Sequence, residues 1–185
     1  MFRLPLDDSL DLVLLEERHA PMLASLVAEN REHLGSFLPW ALTTDEAAVR
    51  EFLRGALDKF ARGNGFETGI FFEGELVGML GVHYLDRVVG RTEFGYWIAR
   101  RATGRGIVTR AVAGLSRIMF EAYGLNRVEI RCQPDNIPSR RLAERLGFRH
   151  EGTLRAVHPA GGGEPADLEV FGLLRSEWQR QERSA

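Results

Sequence analysis

The apolar positions of this chain change their period along its length, and each change marks a new element. Leu12 to Leu15 reads as a first strand. Ala20 to Glu29 reads as a short helix with Met22, Leu23, Leu26 and Val27 on one side. Thr43 followed by Glu46 matches a capping box. Behind it Val49, Phe52, Leu53, Ala56, Leu57 and Phe60 keep the three-four spacing of one buried helical face. Gly63 and Gly65 end that helix.

Strands follow. Thr68–Phe72 and Leu76–Leu85 flank Glu73-Gly74-Glu75, a hairpin with glycine in its turn. In Arg91–Ile98, Phe94, Tyr96 and Ile98 alternate against Glu93, Gly95 and Trp97. Val108–Tyr123 is helical, with Val112, Leu115, Ile118 and Met119 inward and Gly124 as its stop. Arg127–Cys132 alternates again, Val128, Ile130 and Cys132 facing one way. Asn136–Leu146 forms a compact helix with Pro138 in its first turn and Gly147 past its end. Arg149–Leu154 and Asp167–Leu174 close the chain, with the loose patch Pro159–Pro165 as the loop between them. This order of helices, antiparallel meander and strand-helix-strand-helix-strand makes a mixed α/β sheet.

Composition narrows the picture only at a few points. With 185 residues and 44% hydrophobic positions, the chain suits a single domain spanning 1–185. A net charge of −2 offers no electrostatic footprint for nucleic acid. Lys59 is the single lysine. Cys132 is the single cysteine, which excludes an intramolecular disulfide and a cysteine-based zinc site. Neither a signal peptide nor an apolar run of roughly 18–20 residues is present, so a cytoplasmic protein without membrane partners is the expectation. His19, His33 and His150 are scattered without metal-ligand spacing, and His83 and His158 read as structural.

Chemistry concentrates where the strand Arg91–Ile98 gives way to a helix, at Arg101-Ala102-Thr103-Gly104-Arg105-Gly106. Unpaired N–H groups at a helix N-terminus bind phosphate without side chains, and glycine lets the backbone approach an anion. Arg101 and Arg105 add charge. A dinucleotide fingerprint would need glycine at position 109, which is threonine, and an acidic residue where Cys132-Gln133 stand. A P-loop would need lysine. Both patterns fail.

Arg101-x-x-Gly104-x-Gly106 resembles the Q/R-x-x-G-x-G/A signature of the GNAT superfamily of N-acetyltransferases. Asn136 to Phe148 is similar to that superfamily's asparagine-led helix ending in Gly-Phe. Glu93–Ile98, Leu125–Arg131, Glu151–Arg155 and Leu173–Trp178 resemble the branch of ribosomal-protein alanine and serine N-acetyltransferases. The resemblance implies a mostly antiparallel sheet flanked by helices, with a V-shaped opening between two parallel strands, Arg91–Ile98 and Arg127–Cys132. Acetyl-CoA would lie there, its pantetheine arm along Trp97, Ile98 and Ala99 and beside Asn136. Its pyrophosphate would take N–H groups from Gly104, Arg105, Gly106 and Ile107. A homodimer is a further expectation of the family.

Acetyl transfer from a thioester needs a neutral amine, a donor to the oxyanion and a proton for the leaving thiolate. A backbone N–H at Ile98 or Ala99 is the expected oxyanion donor. Many relatives carry a tyrosine seven residues after the helix asparagine, but this chain has Ala143 there. Ser139 stands where the ribosomal-protein branch has a serine in that role. Glu93 and Glu67 are the candidate bases, although an α-amine of pKa about 7.7–8.0 can react without one. Cys132 reads as packing rather than as a nucleophile. Trp40 either lines the acceptor site or plugs the loop between the early helices. A protein N-terminal α-amine, such as that of a ribosomal protein, is the expected acceptor; a polyamine or aminoglycoside is the alternative. The missing tyrosine also leaves open a silent acyl-CoA-binding regulatory module.

Overall fold

The computed structural model describes residues 2–159 and 164–183. One eight-stranded sheet organises them, in the order β1-β2-β3-β4-β5-β6-β8-β7. The strands are β1 (Arg3–Pro5), β2 (Leu10–Leu14), β3 (Phe66–Phe72), β4 (Glu75–Asp86), β5 (Arg91–Ile98), β6 (Arg127–Cys132), β7 (Arg149–His158) and β8 (Ala166–Leu174). Every neighbouring pair is antiparallel except β5 and β6, which run parallel.

Helices cover both faces. On the front lie α1 (Ala20–Glu29), α2 (Arg31–Gly35) and α3 (Glu46–Ala61), whose Leu23, Leu26, Leu34, Val49 and Leu53 pack with Met79 and Trp97 of the sheet. On the back lie α4 (Ile107–Glu121) and α5 (Ile137–Arg145), burying Val112, Leu115, Met119 and Leu142 against Val82, Phe94, Val128 and Ile130. A last helix, α6 (Arg175–Glu182), sets Trp178 against Phe120. No helix among the described residues is long and apolar enough to cross a membrane.

β5, β6 and the helix cores match the sequence reading closely, and the differences lie in the early elements and at element ends. The first strand runs Leu10–Leu14 rather than Leu12–Leu15, and β1 precedes it. All five residues of β2 are buried, so it carries no alternation to read. Thr43 does not cap α3. It closes a 3₁₀ turn at Pro39–Leu42, and Asp45 is the cap, its Oδ1 accepting from the Ala48 N–H at 2.8 Å. The buried stripe of α3 narrows to Val49, Leu53 and Ala56, because Phe52 is 48% exposed and Phe60 36%. Met22 likewise faces outward. Of the predicted loop Pro159–Pro165, residues 160–163 lie outside the described residues; β7 and β8 flank it as expected.

Candidate active site

Parallel pairing between β5 and β6 is short. It joins Arg91 to Arg127 and ends at Phe94 and Ile130, while β5 runs on through Ile98 with no β6 partner. The strands therefore diverge at Gly95 and Arg131, leaving unsatisfied backbone groups along the gap. In β5 the Ala99 N–H is bonded to the Val77 carbonyl at 2.8 Å. Backbone groups alternate sides along a strand, so those of Ile98 point into the opening. Of the two candidate oxyanion donors, Ala99 is thus occupied by β4 and Ile98 faces the gap. His33 Nε2, from α2, lies 3.2 Å from the Ile98 carbonyl oxygen. The Trp97 ring packs in the front core, edge-on to Trp40. Trp40 remains 44% exposed at the border of the front core.

At the wide end of the gap, β5 continues through a 3₁₀ turn at Arg100–Ala102 to the glycine loop. Gly104 and Gly106 have φ of 74° and 71°, and nothing lies within 4 Å of where a Cβ would stand on either. Gly106 is the N-cap of α4 and provides no side-chain cap, so the first-turn N–H groups, beginning with Ile107, face an open cradle. The helix macrodipole adds partial positive charge there. Arg101 and Arg105 sit at its rim. Arg101 pairs with Glu75 at 2.9 Å, and the Arg105 guanidinium lies 4.5 Å from the centroid of the Phe72 ring. Both arginines are about half exposed, and such surface pairs contribute at most about 1 kcal/mol, so they yield readily to a phosphate.

Toward the narrow end, two hydroxyls meet. Asn136 caps α5, its Oδ1 accepting from the Ser139 N–H at 3.2 Å, which sets Ser139 in the first helical turn. Ser139 Oγ lies 2.7 Å from the Tyr96 hydroxyl of β5. Burial pushes the Tyr96 phenol well above its ordinary range, so it stays protonated and able to donate. Burial also pushes up the Cys132 thiol at the end of β6. That keeps it a thiol, in line with the packing role read from the sequence. Ala143 is buried in the back core. The phenol at this site comes from β5 instead, a residue the sequence reading assigned only to a strand face.

The front face of the opening carries the two carboxylates expected as bases. Glu67 is 6% exposed and pairs with Lys59 at 2.6 Å. Glu93 pairs with Arg131 at 3.2 Å and lies 3.4 Å from His83 Nδ1. Gly81 and Gly95 lie side by side on β4 and β5, where a Cβ would collide with the Glu67 carboxylate and the His83 ring respectively. The sheet floor there is bare backbone, and the Glu67 carboxylate and the His83 ring lie directly over it on the front. Ser139 and Tyr96 approach from the other face, so the hydroxyls and the carboxylates stand on opposite sides of the sheet.

A strand opening with a glycine cradle at its wide end is the architecture implied by the loop and helix motifs, and the family model for the acetyltransferase (GNAT) domain matches residues 9–149. This chain belongs to the GNAT acetyltransferase family. The GNAT chain is 36% identical over 185 residues to YdaF of Bacillus subtilis (strain 168), covering 97% of itself and 98% of that protein. It is 30% identical over 149 residues to the ribosomal-protein-serine acetyltransferase of Escherichia coli (strain K12), covering 80% and 83%. Among solved structures, the Salmonella typhimurium acetyltransferase that modifies the N-terminal serine of 50S ribosomal subunit protein L7/L12 superposes with a TM-score of 0.86. That match covers 94% of this chain and 99% of the other at 25% identity. This GNAT enzyme is accordingly an N-acetyltransferase that uses acetyl-CoA as its donor.

Proposed function

We propose that the enzyme acetylates the α-amine of a protein N-terminus, with a ribosomal protein as the acceptor class. The observation that carries this reading is kinship over most of the chain with the Escherichia coli ribosomal-protein-serine acetyltransferase. A ribosomal acceptor would place the enzyme in the cytoplasm. The geometry supports it in a second way. Both carboxylates on the front floor are already neutralised, Glu67 by Lys59 and Glu93 by Arg131. A polyamine would find little uncompensated negative charge there, whereas a single α-amine of pKa about 7.7–8.0 needs none.

In the proposed reaction the pyrophosphate rests on the N–H groups that follow Gly104, and the pantetheine arm runs along the unpaired edge of β5 beside Asn136. The wide end of the gap holds the phosphates, so the thioester lies toward its narrow end. The Tyr96 N–H, which faces the gap by the same alternation and stands at its narrow end beside Ser139, is the donor for the oxyanion that forms as the amine attacks, while the Ile98 N–H meets the pantetheine arm. As the C–S bond breaks, Ser139 protonates the departing sulfur and regains its proton from water. The Tyr96 hydroxyl donates to Ser139 Oγ, which leaves the serine proton directed toward sulfur. Tyr96→Phe should therefore lower kcat about tenfold, the worth of one hydrogen bond of about 1–1.5 kcal/mol, with KM for acetyl-CoA unchanged. Steady-state kinetics with both substrates varied checks this.

An acceptor screen read by mass spectrometry tests the function itself. Incubation with acetyl-CoA should add one acetyl group to the α-amine of peptides carrying ribosomal-protein N-termini. Spermidine and aminoglycosides should remain unmodified. Modification of the polyamines alone would overturn the acceptor assignment.

A further inference from the structure

β4 carries a bulge at the mouth of the active site. Val82 pairs with Phe94 and Leu85 with Thr92, so His83 and Tyr84 both stand opposite the single residue Glu93. Bulges commonly re-aim side chains next to functional sites. This one lays the His83 imidazole across β5 above Gly95, where any side chain larger than hydrogen would exclude it. Gly95 is also the first β5 residue beyond the last β6 partner, at the narrow end of the gap. His83 therefore lies on the acceptor side of the place where the thioester is expected.

The surroundings of the ring give its two nitrogens different roles. Nδ1 faces the Glu93 carboxylate at 3.4 Å, and the other Glu93 oxygen is held by Arg131 at 3.2 Å. An ion-paired carboxylate is an acceptor, so Nδ1 carries the hydrogen and Nε2 keeps its lone pair. Arg131 is shared with Glu129, which Arg127 and Arg91 also contact, and Tyr84 lies in the same cluster beneath Arg91. Glu93 is thus tied to a cation and to a ring. The His83 side chain, 48% exposed, is the group that can meet an incoming amine.

We propose that His83 is the general base of the reaction, with Glu93 as the residue that positions it, an assignment that rests on the amine-acetylation reading above. The amine lone pair forms the C–N bond to the thioester carbon, and the C–S electron pair leaves on sulfur. The proton lost by the amine passes to His83 Nε2 and then to water. Sulfur takes its proton from Ser139. One proton is thereby exchanged at each end and none is left over.

Chemical rescue tests this directly. CoA release is followed with a peptide bearing a free N-terminal serine and, separately, with spermidine, so that loss of the N-terminal reading still leaves an amine on which the base is measurable. His83→Ala should lower kcat about 100-fold on whichever amine the wild type accepts, with acetyl-CoA affinity unchanged. Added imidazole should restore at least part of that loss while leaving the wild type unaffected. Glu93→Gln should lower kcat without altering KM for acetyl-CoA, and imidazole should not restore it. Turnover of His83→Ala within threefold of wild type, or a loss that imidazole does not relieve, would overturn the assignment. Wild-type turnover of the peptide would meanwhile uphold the acceptor reading, and no turnover on either amine would overturn both.

Discussion

Gly106→Val should weaken CoA binding by roughly 10- to 100-fold, since each charge-assisted hydrogen bond lost to a phosphate is worth about 1.5–3 kcal/mol. Two effects combine in this substitution. Gly106 adopts a φ of 71°, which a residue with a Cβ reaches only at a cost of about 1–2 kcal/mol. Its Cβ would also enter the open cradle in which the pyrophosphate is proposed to sit. Gly124 separates the two effects. It lies just past the other end of α4 with a φ of 68°, and nothing is within 4 Å of its Cβ position either. Gly124→Val should lower the melting temperature about as much as Gly106→Val and leave CoA affinity untouched. Calorimetric titration of CoA into both variants makes the comparison. Equal affinities would show that the loop does not hold the phosphates.

Ser139→Ala should lower kcat about 100-fold while acetyl-CoA affinity stays within a small factor of wild type. The change removes the proposed proton donor for the thiolate but not the helix cap, because Asn136 accepts from the backbone N–H of Ser139 and not from its hydroxyl. A stability signature should accompany it. Tyr96 would be left with a buried hydroxyl lacking its partner, at a cost of about 1–3 kcal/mol. Combining Ser139→Ala with Tyr96→Phe removes both ends of that bond, so stability should recover while turnover stays at the single-variant level. If Tyr96 acts through Ser139, it adds no further kinetic loss once the serine is gone. Thermal unfolding and steady-state kinetics on the two singles and the double complete the cycle. Wild-type turnover in Ser139→Ala would remove the serine from the mechanism.

Much of this arrangement was readable before any tertiary information. β5 and β6 alternate cleanly, and both strands run over the residues their pattern predicts. Asn136, Pro138 and Gly147 bracket α5 by local capping rules, and the loop from Arg101 to Gly106, a weak signal in its glycine spacing alone, gained meaning from its resemblance and from the helix Asn136–Phe148. Legibility failed where local pattern is weak. β2 is buried on both faces and lacks a period, and α2 is five residues long. The α3 stripe was overestimated because periodicity shows which residues share a face but not how wide the covering layer is. Phe60 ends beside Phe2 and Phe66 at the edge of that layer.

Sequence by itself determined the alternation of elements, the glycine cradle and the helix that presents Ser139, because each rests on contacts within a few residues. Only the tertiary structure decided which groups stand together at the candidate site. Tyr96 meets Ser139 across 43 residues, and His83 meets Glu93 through a bulge that shifts the register of two strands. Register and splay are set by how the whole sheet packs between its two helical layers. A histidine inside a strand therefore looks structural in the sequence and stands over the bare glycine floor in the fold.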